Sequence, residues 1–180
     1  MADESRRPSA GPTSIRNLTH DQIAELVEEL GQPKFRTKQI EEWLWTKNAQ
    51  TFDEMTNLPA KLRSELAARF STGSATEIVR QESVDGSRKY LLGFDDGVSV
   101  ECVGMPSGPK LSVCASTQAG CGMGCAFCAT GKAGLTRSLK AAEIYEQVRH
   151  VGDDFDQRVT SVVLMGQGEP FANYDETLKA

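Results

Sequence analysis

Three cysteines lying within eight positions of one another are the residues with the clearest capacity for chemistry. They form the run Cys121-Gly-Met-Gly-Cys125-Ala-Phe-Cys128, in which the glycines let the backbone wrap around a bulky ligand. Three thiolates leave one iron of a cubic cluster without a protein ligand, and such an open position lets the cluster bind a further molecule. The spacing therefore favours a 4Fe–4S cluster held by Cys121, Cys125 and Cys128.

Two other interpretations of these cysteines remain open. A structural zinc ion needs four protein ligands, and the fourth would come from Cys114, His20 or His150, although neither histidine stands at ordinary zinc-finger spacing. Alternatively, the thiols are small buried hydrophobic side chains, but three of them at this density among Gly and Ala are hard to explain by packing. Spacing and context favour the cluster over both interpretations.

The composition argues against several classes of protein. No run of about 18 apolar residues is present and the first residues are polar, so we expect neither a membrane span nor secretion. Five cysteines, three of them clustered, do not suit a secreted disulfide framework. We therefore expect a cytoplasmic protein with reduced thiols. Because the net charge is −5, any contact with RNA must come from local basic clusters.

The N-terminal part of the chain changes from a polar stretch to a helical pattern. Residues 1–14 are rich in Ser, Pro, Gly and Arg without a hydrophobic period, which predicts a flexible tail. Residues 15–72 predict a helical accessory domain, whose first helix is capped by Thr19 with Gln22 and ends at Gly31. Two further helices are predicted over 37–47 and after Pro59.

A group of basic and aromatic residues in this domain has two interpretations. Lys34, Arg36 and Lys38 stand close in sequence to Trp43 and Trp45, a combination found on nucleic-acid-binding surfaces. Tryptophans are more often part of a core, and lysines more often form a solvated face. We therefore predict that both tryptophans are core residues.

From residue 73 onward the pattern predicts strands. Residues 73–108 predict a short antiparallel linker sheet, with Asp95-Asp96-Gly97 as a hairpin turn. Residues 109–180 then predict a strand, the cysteine loop, a helix and a second strand, which is the order of a parallel α/β domain. Two parallel strands cannot close a sheet covered on both faces, so we expect the chain to end inside an incomplete domain. The strands are predicted at 77–79, 89–94, 98–103, 111–115 and 159–165, and the helix at 138–150.

The cysteine spacing resembles a known signature. Cys-x3-Cys-x2-Cys, with an aromatic residue before the last cysteine, is similar to the motif of the radical S-adenosylmethionine (SAM) superfamily. The resemblance implies a partial (β/α) barrel, a 4Fe–4S cluster that chelates S-adenosyl-L-methionine, and reductive cleavage of that cofactor to a 5′-deoxyadenosyl radical. The later run Gly166-Gln-Gly168-Glu169-Pro resembles the superfamily's loop for the methionyl amino group. Gly168 and Glu169 are therefore implied as cofactor-binding residues.

A narrower resemblance covers nearly the whole chain from about residue 15. It is carried by motifs that follow one another in the order of the adenine C2-methyltransferase family, which modifies 23S ribosomal RNA and certain transfer RNAs. The family is implied to use a methylated cysteine as methyl carrier and an electron donor such as flavodoxin, and we expect a monomer without membrane contact. The matching stretches are 33–45, 52–59, Gln118-Ala-Gly-Cys121, Phe127-Cys-Ala-Thr-Gly and 168–174.

The resemblance also implies roles for two further residues. Cys114 matches the cysteine that forms a transient disulfide with the methyl-carrying cysteine, and Glu101 matches a proposed proton acceptor. Without the resemblance, these would be a structural thiol and an ordinary strand carboxylate. Cys102 has no role that we can assign, and Gln167 stands where methionine is common. The methyl-carrying cysteine would lie beyond Ala180, so we expect the chain alone to lack methyltransfer activity.

Two alternative functions stay in consideration. A related resistance enzyme methylates C8 of the same adenine with the same cluster and carrier chemistry. A zinc-stabilised RNA-binding module without catalysis belongs to a different class, and it is suggested by the basic helical domain. Metal content separates the module from the enzymes, because a tetrahedral zinc site is colourless while an iron–sulfur cluster is brown.

Overall fold

The computed structural model describes residues 13–73 and 75–180, so all but the last two residues of the predicted tail lie outside the described part. The described chain divides into two compact units, one on each side of residue 74. Within these ranges, no helix combines the length and the apolar character needed to cross a bilayer.

The first unit is built from short helices. Its first helix has the predicted capping box: Thr19 Oγ1 accepts from the Gln22 N–H, and the Gln22 side chain accepts from the Thr19 N–H. Gly31, with a φ of 64°, follows that helix and confirms the predicted stop. The helices are α1 (His20–Glu29), α2 (Phe35–Glu41) and α3 (Ala60–Arg69), with 3₁₀ turns at Ile15–Asn17 and Phe52–Glu54 and a π-helical turn at Glu42–Thr46.

The prediction for the two tryptophans is only half right. Leu44 is fully buried between them, and Trp43 packs against the core, whereas Trp45 remains 41% exposed. Successive residues point about 100° apart around a helix, so burying Leu44 leaves Trp43 and Trp45 on opposite sides of it. The Trp45 ring instead lies 5.8 Å from the guanidinium carbon of Arg16.

Arg16 is a buried cation that donates to three backbone carbonyls and to the side-chain oxygen of Asn48. It is 3% exposed, and its guanidinium donates to the carbonyl oxygens of Leu44 at 3.0 Å, Ala49 at 3.2 Å and Thr72. The Leu44 carbonyl lies in the last part of the π-helical turn, where carbonyls carry partial negative charge and suit a cation. The Ala49 and Thr72 carbonyls lie in the irregular segments that follow the helices. Arg16 thereby ties the beginning of the unit to its middle and its end.

The second unit contains a five-stranded mixed sheet in the order β1-β2-β3-β4-β7. The first four strands pair antiparallel, and β7 joins β4 in parallel, with the helix α5 (Ala141–Phe155) between them in sequence. The strands predicted as a linker are thus continuous in one sheet with the predicted α/β part. The strands are β1 (Thr76–Glu82), β2 (Arg88–Gly93), β3 (Ser99–Ser107), β4 (Lys110–Cys114) and β7 (Ser161–Val163).

In the described part of the second unit, two strands, one helix and a 3₁₀ turn have no counterpart among the predictions, whereas helix α5 and the helix that follows the glycine loop are predicted. A two-stranded antiparallel ladder flanks the cysteine loop, and a short helix follows that loop. A 3₁₀ turn at Pro170–Asn173 leads into the last helix. The strands are β5 (Gln118–Gly120) and β6 (Leu135–Ser138), and the helices are α4 (Ala129–Ala133), α5 (Ala141–Phe155) and α6 (Tyr174–Lys179).

Helix α5 covers one face of the five-stranded sheet. Buried side chains of the middle strands, among them Cys102 and Val113, pack with Val151 on the helix. The fit is close, because a Cβ added at Gly104 would come within 2.6 Å of Val151. The mixed α/β fold predicted from the sequence is therefore confirmed, with its core between sheet and helix.

The first prediction concerns Arg16. Replacing it with Met leaves several buried carbonyls without donors, so the free energy of unfolding should fall by about 2–4 kcal/mol. Chemical denaturation followed by tryptophan fluorescence measures this change. Arg69→Met, which removes only an exposed ion pair with Glu29, is the control and should cost below about 1 kcal/mol. Equal effects of the two substitutions would contradict the role of Arg16.

Candidate metal centre and cofactor loop

The cysteine loop begins where β5 ends. Gly120 has a φ of 75°, and a Cβ there would lie 2.1 Å from the Gly134 carbonyl oxygen, so only glycine fits. The next residue, Cys121, is buried and donates its N–H to the same oxygen at 2.9 Å. The Cys128 N–H donates to the Cys125 carbonyl at 3.0 Å, which closes a tight turn. The loop is therefore anchored at its first cysteine and compact between the other two.

Cys128 is placed at the start of helix α4. The pKa of its thiol is lowered, chiefly because the Gly131 N–H hydrogen-bonds the sulfur, with a smaller contribution from Thr130. Burial acts in the opposite direction but is outweighed. Since the thiolate is the form that ligates metals, this helix start favours a ligand role for Cys128.

The cysteine loop offers three thiol ligands, and neither histidine is available as a free fourth ligand. Within residues 13–73 and 75–180, no three His, Cys, Asp or Glu side chains are gathered in metal-binding geometry, so the three thiols share a loop without converging. Both histidines are engaged with carboxylates at 2.8 Å, His20 with Glu41 and His150 with Glu77. Three soft thiol ligands without a histidine suit a cluster that keeps an open iron.

The glycine-rich loop after β7 lies directly against the segment that follows β4. A Cβ at Gly166 would lie 2.8 Å from the Ala115 carbonyl oxygen. Gly168 has a φ of 98°, and a Cβ there would lie 2.7 Å from the backbone nitrogen of Gln118. Both glycines are therefore required by close backbone packing.

Glu169 is held at the end of this loop. Its N–H donates to Oε1 of Gln118 at 3.0 Å, and its carboxylate accepts from the Phe171 N–H at 3.1 Å. The carboxylate thereby caps the 3₁₀ turn that follows. The loop thus presents Glu169 in a defined orientation beside the segment that leads to the cysteine loop.

Ser116, in the segment after β4, hydrogen-bonds β3, the glycine loop and helix α5. The sequence analysis did not identify it as a site residue. Its hydroxyl donates to the Glu101 carbonyl at 2.6 Å and accepts from the Gln167 N–H at 2.9 Å. The fully buried side chain of Gln147, on α5, bonds both the N–H and the carbonyl of Ser116 at 2.8 Å. A polar residue on the apolar face of α5 was the available signal for this contact.

Asn173 is a second positioning residue that the sequence analysis did not single out. Its side-chain amide donates to the Thr117 carbonyl at 2.9 Å and to the Leu139 carbonyl at 2.8 Å. It is 8% exposed. The residue therefore fixes the end of the glycine loop to the segments on both sides of the cysteine loop.

Glu101 and Cys114 lie on the same face of the sheet. Val103 pairs with Cys114, and Glu101 is two residues from Val103, so alternation places all three on one side. The Glu101 carboxylate contacts Lys89 Nζ at 3.0 Å, with both side chains about half exposed. Cys102 points to the opposite face, where burial raises the pKa of its thiol to about 12. The structure therefore separates an inert core thiol from the two predicted site residues.

Two models of known protein families match this chain, one in each of its two structural units. The model described as the ribosomal RNA large subunit methyltransferase N-terminal domain matches residues 13–71. The model of the radical SAM superfamily matches residues 115–180. The chain is similar to the N-terminal portion of proteins named RlmN. The resemblance drawn from its motifs is thereby confirmed.

Individual relatives agree with this assignment. A probable dual-specificity RNA methyltransferase RlmN of Rhodopirellula baltica is 44% identical over 176 residues, covering 96% of this chain and 47% of the relative. Its counterpart in Geobacillus thermodenitrificans is 47% identical, covering 99% and 52%. A crystal structure of a radical SAM methyltransferase from Sphaerobacter thermophilus superposes with a TM-score of 0.85 at 37% identity, covering 93% of this chain and 50% of that one. The chain thus spans about half the length of these proteins.

The second prediction concerns Ser116. Removing its hydroxyl in Ser116→Ala deletes the bonds to Glu101 and Gln167, so the free energy of unfolding should fall by about 1–2 kcal/mol. The amide of Gln167 should also exchange with deuterium faster, as measured by NMR. Ser112→Ala, on the preceding strand β4, is the control and should leave that amide unchanged. Identical exchange in the two variants would contradict the bridging role.

Proposed function

We propose that the whole protein is a radical SAM enzyme that methylates C2 of adenine in 23S ribosomal RNA and transfer RNA. The observation that carries the proposal is the packing of the glycine loop against residues 115–120, the segment that leads into the three-cysteine loop. This contact brings together the two motifs that a SAM-cleaving site requires. The similarity to proteins named dual-specificity RNA methyltransferases supports an RNA substrate.

The cluster and the cofactor would be held by separate loops. Cys121, Cys125 and Cys128 would ligate three irons, and Gly168 with Glu169 would bind the methionyl end of SAM. When bound, the cluster supplies the electron that cleaves SAM to a 5′-deoxyadenosyl radical. The protein's own contribution is to hold Glu169 rigidly, through the Gln118 and Phe171 hydrogen bonds, beside the cysteine loop.

Glu101 and Cys114 would act on the base and on the covalent intermediate. Glu101 would accept the proton lost from the adenine carbon, and its carboxylate lies 3.0 Å from Lys89 Nζ. Cys114 would form a disulfide with the methyl-carrying cysteine in the C-terminal part and so release the RNA. Cys114 is partly buried and is not in a disulfide within the described residues.

The remaining partners follow from this chemistry. Reduction of the cluster requires a low-potential electron donor, and flavodoxin is a suitable protein of that kind. We assign the reaction to a monomer in the cytoplasm, where ribosomal RNA and transfer RNA are available.

Cluster assembly is the first test. Anaerobic incubation with iron and sulfide should give a brown protein whose reduced form has a 4Fe–4S EPR signal that changes on addition of SAM. Cys125→Ala should lose the signal, whereas Cys102→Ala, at the buried thiol, should keep it. Circular dichroism verifies folding of each variant. A folded protein that holds only zinc, or no metal, would refute the proposal and favour the RNA-binding module.

The position of methylation is a separate test. The whole protein, reduced and supplied with SAM, should convert adenosine in a 23S ribosomal RNA fragment to 2-methyladenosine, as identified by nucleoside mass spectrometry. A product mass shifted by one methyl group but eluting as 8-methyladenosine would replace the C2 assignment with the C8 enzyme. RNA without any added methyl group would contradict both.

A further inference from the structure

We propose that Gln167 is a positioning residue that couples the cofactor loop to the cluster loop through its side chain. The inference deepens the proposed function and rests on it. The central observation is a hydrogen bond in which Oε1 of Gln167 accepts from the Gly120 N–H at 3.1 Å. Gly120 immediately precedes Cys121, the anchored cysteine of the cluster loop.

The backbone and the side chain of Gln167 have different tasks. Its N–H donates to Ser116, and its carbonyl accepts from Thr117 at 2.9 Å and Gln118 at 3.2 Å. These bonds hold the glycine loop against the segment after β4, and any residue except proline could make them at this position. Only the side-chain hydrogen bond reaches Gly120, which lies two residues beyond Gln118.

The local geometry of Gly120 makes this bond specific. The register of β5 against β6 shifts between Ala119 and Gly120, so the regular ladder is interrupted at the donor. Gly120 has a φ of 75°, and a Cβ there would lie 2.1 Å from the Gly134 carbonyl oxygen, so the donor to Gln167 must be a glycine. Gln167 supplies an acceptor where the ladder is irregular.

Packing does not enforce the contact. Gln167 and Gly120 both line a cavity of about 400 Å³, together with Thr130 and Thr136 from the far side of the cysteine loop. A side chain beside a cavity has fewer neighbouring atoms in van der Waals contact, so its orientation depends more on its hydrogen bond. Methionine, whose thioether is only a weak acceptor, would fill similar volume without restraining Gly120.

The restraint has a consequence for cofactor binding. Glu169 lies two residues after Gln167, and Cys121 one residue after Gly120, so the bond fixes the distance between the two binding elements. Preorganised loops lose less conformational entropy when a ligand bridges them. The bond should therefore strengthen binding of SAM to the cluster-loaded protein.

Amide exchange tests the bond without any cofactor. In metal-free protein, the Gly120 amide of Gln167→Met should exchange about threefold to tenfold faster than in the unmodified protein. Gln167→Glu retains the acceptor and should restore slow exchange. The Ala115 amide, bonded to Val163 at 2.9 Å, is the internal control and should be unchanged in both variants. Unchanged exchange at Gly120 in Gln167→Met would overturn the inference.

Cofactor affinity tests the positioning role. After cluster reconstitution, the Kd for SAM, read from the EPR change, should rise about threefold to tenfold in Gln167→Met and return in Gln167→Glu. A faster Gly120 amide with an unaltered Kd would also overturn the proposal, because the bond would then be structural only. Failure of the unmodified protein to bind cluster or SAM refutes the proposed function and the positioning role, while the exchange result still reports on the bond.

Discussion

Backbone contact between two strand ends is the constraint on which the candidate site depends. Strands β4 and β7 are parallel neighbours, so the segments that leave them emerge at the same edge of the sheet. Gly166 and Gly168 then allow those segments to approach closely enough for direct main-chain hydrogen bonds. The cysteine loop extends from one segment and Glu169 from the other. The positions of the proposed binding residues therefore depend on a backbone contact that a side chain at Gly166 or Gly168 would prevent.

The alternation of side chains between the two faces of the sheet separates Glu101 and Cys114 from Cys102. Adjacent residues Glu101 and Cys102 point to opposite faces, one toward Lys89 and one into the core beneath α5. The buried thiol has a raised pKa and stays protonated, which makes it a poor nucleophile. Cys114 shares the face of Glu101. A single-residue change of register would exchange the two sets, so strand pairing is as important to the proposed chemistry as the residues themselves.

Local signals predicted the parts of the fold that depend on neighbours in sequence. The capping box at Thr19, the stop at Gly31 and the strand order around α5 were all predictable, as was the cysteine loop itself. Contacts between distant segments were not. Ser116 and Gln147 are ordinary polar residues until the sheet and α5 bring them within 2.8 Å. The exposure of Trp45 likewise depends on which face of its helical turn meets the core.

The buried Arg16 also has a temporal consequence. One of its partners, the Thr72 carbonyl, lies 56 residues later in the chain. A ribosome adds roughly 5–20 residues per second, so Arg16 waits several seconds for that acceptor to be synthesised. The Leu44 and Ala49 carbonyls are synthesised earlier, 28 and 33 residues after Arg16. The full set of acceptors around the buried cation therefore exists only once the last residues of the helical unit have been synthesised.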